Sequence, residues 1–130
     1  MHLRERYASR YFGHWKVTRG DTLTLPQLGD RFKLRDVVLD TGRIVVGGAC
    51  HFRGSVVFSV PRAETLAVTW YGVPEQALIY GWPADLGPFA GIGASRVGDS
   101  LVGSILFDSR LGVEVQPGVT ARFVAGRVRP

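Results

Sequence analysis

The chain has 130 residues, 45% of them hydrophobic, with 17 glycines, one cysteine (Cys50) and a formal net charge of +5. Length and hydrophobic content describe one folded domain and exclude a disordered chain. No apolar run approaches the roughly 20 residues of a membrane helix, and one cysteine excludes an internal disulfide. The charge is almost all arginine, scattered from Arg4 to Arg129 and not gathered into a stripe interleaved with aromatics, so a nucleic-acid partner is not expected.

Leu3, Tyr7 and Tyr11 fall four residues apart, which predicts a short helix within an N-terminal segment 1–12 that plugs one end of the domain. No apolar signal core accompanies Arg4, Arg6 and Arg10, which predicts a cytoplasmic protein. Segment 13–130 reads as β-structure. A first strand covers His14–Thr18, with Trp15 and Val17 on one face, and Arg19-Gly20-Asp21 turns the chain. Phe32–Asp40 is a second strand. Its apolar phase shifts from Phe32 and Leu34 to Val37 and Leu39, as a bulge near Arg35-Asp36 would produce. Asp40-Thr41-Gly42-Arg43 reads as a hairpin turn before Ile44–Val46, and Gly47-Gly48 permits a sharp bend.

Ser55–Val60 places Val56, Phe58 and Val60 on one face. Leu66, Val68 and Trp70 alternate with Ala67, Thr69 and Tyr71; after a break at Pro74, Leu78, Tyr80 and Trp82 alternate with Ala77, Ile79 and Gly81. Breakers fill Pro83–Pro88, Gly91 and Gly93 interrupt the next strand, and Leu101–Asp108 carries Gly103. A brief Val113–Val115 and a closing Val119–Val128 complete the chain. Eight to ten short strands joined by tight turns predict an all-β fold, a single up-and-down antiparallel barrel of about eight strands with a short N-terminal helix.

Gly13-His14-Trp15 at the start of the first strand, with Arg122 near the chain's end, resembles the Gly-x-Trp signature and last-strand arginine of the lipocalins and their calycin relatives. The acidic second motif of lipocalins is absent, so the resemblance is to distant calycin-like barrels. It implies a barrel that holds a small molecule, with the Arg122 guanidinium stacked over Trp15 and Gly13 easing the strand's entry.

On that picture Trp70, Tyr80 and Trp82 would wall a lumen together with Phe58, facing space left by Gly91, Gly93 and Gly103. Tyr71, Tyr80 and His51 would supply hydrogen-bonding or proton-transfer groups. His2, His14 and His51 are too dispersed for a metal site, and no dinucleotide or phosphate-loop fingerprint is present, so neither metal nor cofactor is expected. The expected ligand is a small apolar, polyene- or polyketide-like molecule. The expected activity is its cyclisation or isomerisation by substrate shaping, as in calycin-like barrels of natural-product pathways. The alternatives are a non-catalytic carrier or sensor, a nucleic-acid-binding barrel and an oligomerisation module. Homodimerisation is left open and membrane association is not expected.

Overall fold

The computed structural model describes residues 3–25, 30–46, 49–60, 63–83, 90–109 and 116–128. A helix α1 (Leu3–Ser9) precedes strands β1 (Gly13–Gly20), β2 (Leu23–Leu25), β3 (Asp30–Val46), β4 (Ala49–Val60) and β5 (Glu64–Val73). A 3₁₀ turn (Pro74–Gln76) leads to β6 (Leu78–Pro83), β7 (Ala90–Val97), β8 (Ser100–Ser109) and β9 (Gln116–Arg127). Consecutive strands from β3 to β9 pair antiparallel. β1 pairs with both β9 and β3, closing an eight-stranded up-and-down barrel with β2 added along β3. Gly47-Gly48, residues 84–89 and Val113–Val115 lie outside the described residues.

The two-residue period sorts side chains as the strands require. In β5, Leu66, Val68 and Trp70 are buried while Thr65, Ala67 and Thr69 turn outward. The bulge expected near Arg35-Asp36 is present: the β3–β4 register shifts between Lys33 and Leu34 and again between Leu34 and Asp36. It lets Leu34 and Val37 both face the core. The hairpin turn expected at Asp40–Arg43 is absent. β3 runs through it as one strand, and the register against β4 slips between Leu39 and Arg43 before pairing resumes as far as Val46↔Ala49. An Asp-Thr-Gly sequence can bulge a strand as well as reverse it. Here a long partner strand on the same side holds the chain extended.

The interior is packed with side chains. Trp15, Trp70, Phe58, Ile79, Ile92 and Leu101 are fully buried, in contact with a core that includes Val56, Phe123 and Ile105. Trp70 takes the space of more than one position: a Cβ at Gly54 on β4 or at Gly81 on β6 would strike its indole. Those two inward positions must therefore be glycine. The indole N–H of Trp70 has no hydrogen-bond partner among the described residues.

One end of the barrel is closed by α1 and the turn after it. Tyr11 is buried, and its carbonyl accepts a 2.9 Å bond from Trp15 Nε1. The Tyr7 and Tyr11 hydroxyls lie 2.9 Å apart, and the Arg96 N–H donates to Tyr11 at 3.3 Å. Burial first, then the Tyr11 bond, push the Tyr7 phenol well above its ordinary value. Arg96 Nη1 and Arg127 Nη2 both donate to the Arg10 carbonyl (2.7 and 2.9 Å), and Arg127 Nη1 donates to the Phe12 carbonyl (3.1 Å). Two guanidinium groups thus satisfy carbonyls just past the helix, where a cation is favoured.

Arg127 also lies over Trp15, its Cζ 4.4 Å from the ring centroid. This corrects the assignment of that role to Arg122. In β9 the buried positions are Ala121, Phe123 and Ala125, so Arg127 shares their inward phase and Arg122 faces out. Gly13 enters β1 at φ +130°, a conformation glycine adopts without strain.

Candidate functional site

Of the residues expected to line a lumen, the barrel divides the set by strand phase. Trp70 and Phe58 face inward and are part of the packed core. Gly103 also faces inward, but a Cβ there would collide with the Gly93 carbonyl, the Phe123 ring and Ala94, so the place is already filled. Tyr80 and Trp82 point outward, not into a lumen. Gly72 pairs with Ile79 and Trp70 with Gly81, so Ile79, Gly81 and Pro83 take the inner face of β6. The physical reason is Trp70: its indole occupies the inner slot at Gly81, and the bulky members of β6 must go to the other side.

On the outer face these residues meet. Tyr71 and Tyr80 are directly opposite across β5 and β6, and Trp82, opposite Thr69, lies diagonal to Tyr71. The Phe52↔Trp70 pairing sets His51 beside Tyr71. The result is a four-ring cluster. Tyr71 and Trp82 stack at 4.9 Å and 26°, and Tyr80 meets Trp82 edge-on at 5.4 Å. Tyr71 and Tyr80 are 5.7 Å apart, and His51 lies 5.5 Å from Tyr71 and 5.8 Å from Trp82. Such geometries favour ring quadrupoles and are worth about 0.5 to 1.5 kcal/mol per pair beyond area. His51 Nδ1 is buried and has no hydrogen-bond partner among the described residues.

Beside the cluster runs a groove of about 360 Å³ lined by Tyr71, Val73, Leu78, Tyr80, Gly93 and Ser104. The two glycines of β7 shape it differently. A Cβ at Gly91 would strike the Tyr80 hydroxyl, so Gly91 lets that ring lie down on the sheet. Gly93, paired with Tyr80 on one side and Ser104 on the other, has nothing within 4 Å of a would-be Cβ and forms an open floor. The described residues lining the groove carry no charged side chain; Glu64 and Arg96 are exposed towards the ends of β5 and β7. Six of the nine residues expected to bind or act, His51, Tyr71, Tyr80, Trp82, Gly91 and Gly93, therefore come together on one outer face.

The opposite face, β9–β1–β3, is basic and holds a group that sequence spacing does not connect, because its members are 22 residues apart. His14 Nε2 and Asp36 Oδ1 are 2.7 Å apart, and Arg35 Nε donates to Asp36 Oδ2 at 2.7 Å. Burial of Asp36 works to raise its carboxyl, but the Arg35 and His14 bonds outweigh it and hold the group below its ordinary value of 3.8. A depressed folded value means the stabilisation is fully present above pH 3.8 and is lost as pH falls through the folded value. Asp36→Asn is expected to cost about 1.5 to 3 kcal/mol at neutral pH, the range for hydrogen bonds to a charged group. In urea unfolding across pH, wild type and variant should converge under acid; a gap that persists unchanged there would show that the charge is not what stabilises.

Among the described residues no three of His, Cys, Asp and Glu gather closely enough to hold a metal ion. The fold defines the class of molecule as a closed antiparallel eight-stranded up-and-down barrel, which is consistent with a calycin-like fold. Comparison with protein families, with curated proteins and with solved structures finds no match for this chain.

Proposed function

We propose that the protein binds a small, flat, mainly apolar molecule in the outer groove of β5–β8, on the ring cluster and not inside the barrel. The observation that carries this is the open Gly93 floor beside four clustered rings. A groove of about 360 Å³ falls in the size range of small-molecule sites. Ring faces attract a flat apolar partner by dispersion and burial, and the absence of charge around them leaves no ion to desolvate. Ser104 and the Tyr71 and Tyr80 hydroxyls are the polar groups that would orient a carbonyl or enol. Cyclisation or isomerisation of the ligand would draw on these hydroxyls and on His51. The groove is open to water, and substrate-shaping chemistry is served by enclosure, which favours a carrier or sensor over an enzyme. The described interior is filled by Trp15, Trp70 and Phe58, which disfavours a lumen ligand.

The test uses Nile red, a neutral flat probe, together with iodide quenching. Trp82 is 36% exposed while Trp15 and Trp70 are fully buried, so iodide should quench only Trp82 emission and bound probe should protect it. Gly93→Leu should abolish probe binding at an unchanged melting temperature. Tyr80→Ala should weaken it by about tenfold, the upper end for one aromatic contact. Probe binding that survives Gly93→Leu would sink the groove. So would a doubled mass in solution that Trp82→Ala returns to monomer, which would assign the face to a second copy.

A further inference from the structure

We propose that the cleft where β1 and β3 part is a second binding site, one that takes the phosphate groups of a small phosphate ester. Pairing of β1 with β3 runs from Gly13↔Leu39 to Lys16↔Asp36 and stops. Both strands carry a register shift at that point: β1 against β9 between Val17 and Arg19, β3 against β4 on either side of Leu34. Bulges bend their strands and raise local twist, so two adjacent bulges splay the pair. Beyond them β1 follows β9 and β3 follows β4, and a cleft of about 500 Å³ opens between the two.

Three cations line this cleft: Arg19, Lys33 and Arg35. Asp21 is the carboxylate at its edge, and its Oδ2 already accepts the Arg122 N–H at 3.1 Å. Among the described residues no carboxylate pairs with Arg19 or Lys33. Arg35 is placed by its neighbour: Asp36, 7% exposed, takes its Nε at 2.7 Å and leaves both terminal nitrogens of the guanidinium for a ligand. An arginine held by a buried carboxylate loses little entropy on binding, and its planar fork matches phosphate oxygens two at a time. Lys33 adds a point charge from the same strand; the Thr18 and Ser59 hydroxyls in the walls already donate to the Val124 and Lys33 carbonyls. The three lining cations outnumber the two engaged carboxylates, Asp21 at the edge and Asp36 behind Arg35, which leaves the cleft net positive and suits an anion with several acceptor oxygens. Their confinement to one cleft, with no aromatic among the described lining residues, suits a compact phosphate ester better than a polynucleotide, which needs an extended stripe with stacking platforms.

The probe is inorganic pyrophosphate, titrated calorimetrically into the intact chain at low ionic strength. Arg19→Gln and Lys33→Gln are each expected to weaken binding by at least about tenfold, the loss of one charge-assisted contact. Asp36→Asn, which frees Arg35, should weaken it several-fold in protein that still melts cooperatively. Arg53→Gln removes an exposed arginine of β4 outside the cleft and should change nothing. Pyrophosphate should also raise the melting temperature of wild type and not that of the Arg19→Gln/Lys33→Gln double variant. Absence of pyrophosphate binding would overturn the site. Equal losses in Arg53→Gln would overturn it too, because they would reduce the effect to diffuse surface charge. A single-stranded oligonucleotide bound more tightly than pyrophosphate, and insensitive to the two cleft variants, would assign the basic face to polyanions instead.

Discussion

Trp15→Ala is expected to cost about 3 to 5 kcal/mol of folding free energy, the range for emptying a fully buried aromatic site. The loss has three parts. The indole is fully buried against the core, its Nε1 bonds the Tyr11 carbonyl, and its face carries the Arg127 guanidinium. Arg127 in turn bonds the Arg10 and Phe12 carbonyls, so the barrel's first and last strands and the α1 closure meet at one ring. Arg127→Ala should cost less, about 0.5 to 2 kcal/mol for the stacked cation, and the two substitutions together should be less than additive. Arg122→Ala should stay within about 0.5 kcal/mol, as exposed positions do. Urea unfolding of the four variants reads all of this. A larger effect at Arg122 than at Arg127 would return the stacking role to Arg122 and contradict the strand phase.

Gly103→Leu is expected to be severely damaging, while Gly93→Leu, on the neighbouring strand, should melt like wild type. A side chain at Gly103 meets the Gly93 backbone, Ala94 and the Phe123 ring at once. Ordinary overpacking costs about 1 to 3 kcal/mol; a backbone carbonyl in the way cannot move like a rotamer, so the cost should exceed that range and the barrel should fail to fold cooperatively. At Gly93 the same leucine enters open space on the outside and fills the groove. Melting temperature separates the two, and Nile red binding reports on Gly93→Leu alone. A Gly103→Leu protein as stable as wild type would mean that the interior has unfilled room, and the lumen would again become the place to look for a ligand.

The two substitutions bear on opposite faces of one sheet, and the same division organises the molecule. Inward glycines at 54, 81 and 103 yield space to Trp70 and Phe123. Outward glycines at 91 and 93 make room for Tyr80 and leave a floor. The charge is likewise divided: Lys16, Arg19, Lys33, Arg35 and Arg122 lie on β1, β3 and β9, while the described lining of the groove on β5–β8 is uncharged. The two ligand chemistries proposed for the two faces, one apolar and one anionic, rest on that division.

The strand rhythm, the bulge at Asp36, the helix before Gly13 and the burial of Trp15 could all be read from residue order, because a two-residue period and local turn chemistry act within a few residues. Arg127 was legible too, had the inward phase of Ala121, Phe123 and Ala125 been carried two residues further. The orientation of β6 was not legible. Leu78, Tyr80 and Trp82 are as apolar as Ala77, Ile79 and Gly81, so periodicity offers two equal phases. The choice was made by Trp70 on the next strand, whose indole fits the barrel only over Gly54 and Gly81. Nor could the sequence bring His14 to Asp36 or Arg19 to Lys33 and Arg35, since barrel closure between β1 and β3 is what makes them neighbours. Local order determined the elements and most of their inner faces. Volume inside a closed barrel decided which aromatic rings could stay there and which were sent to the surface to form the site.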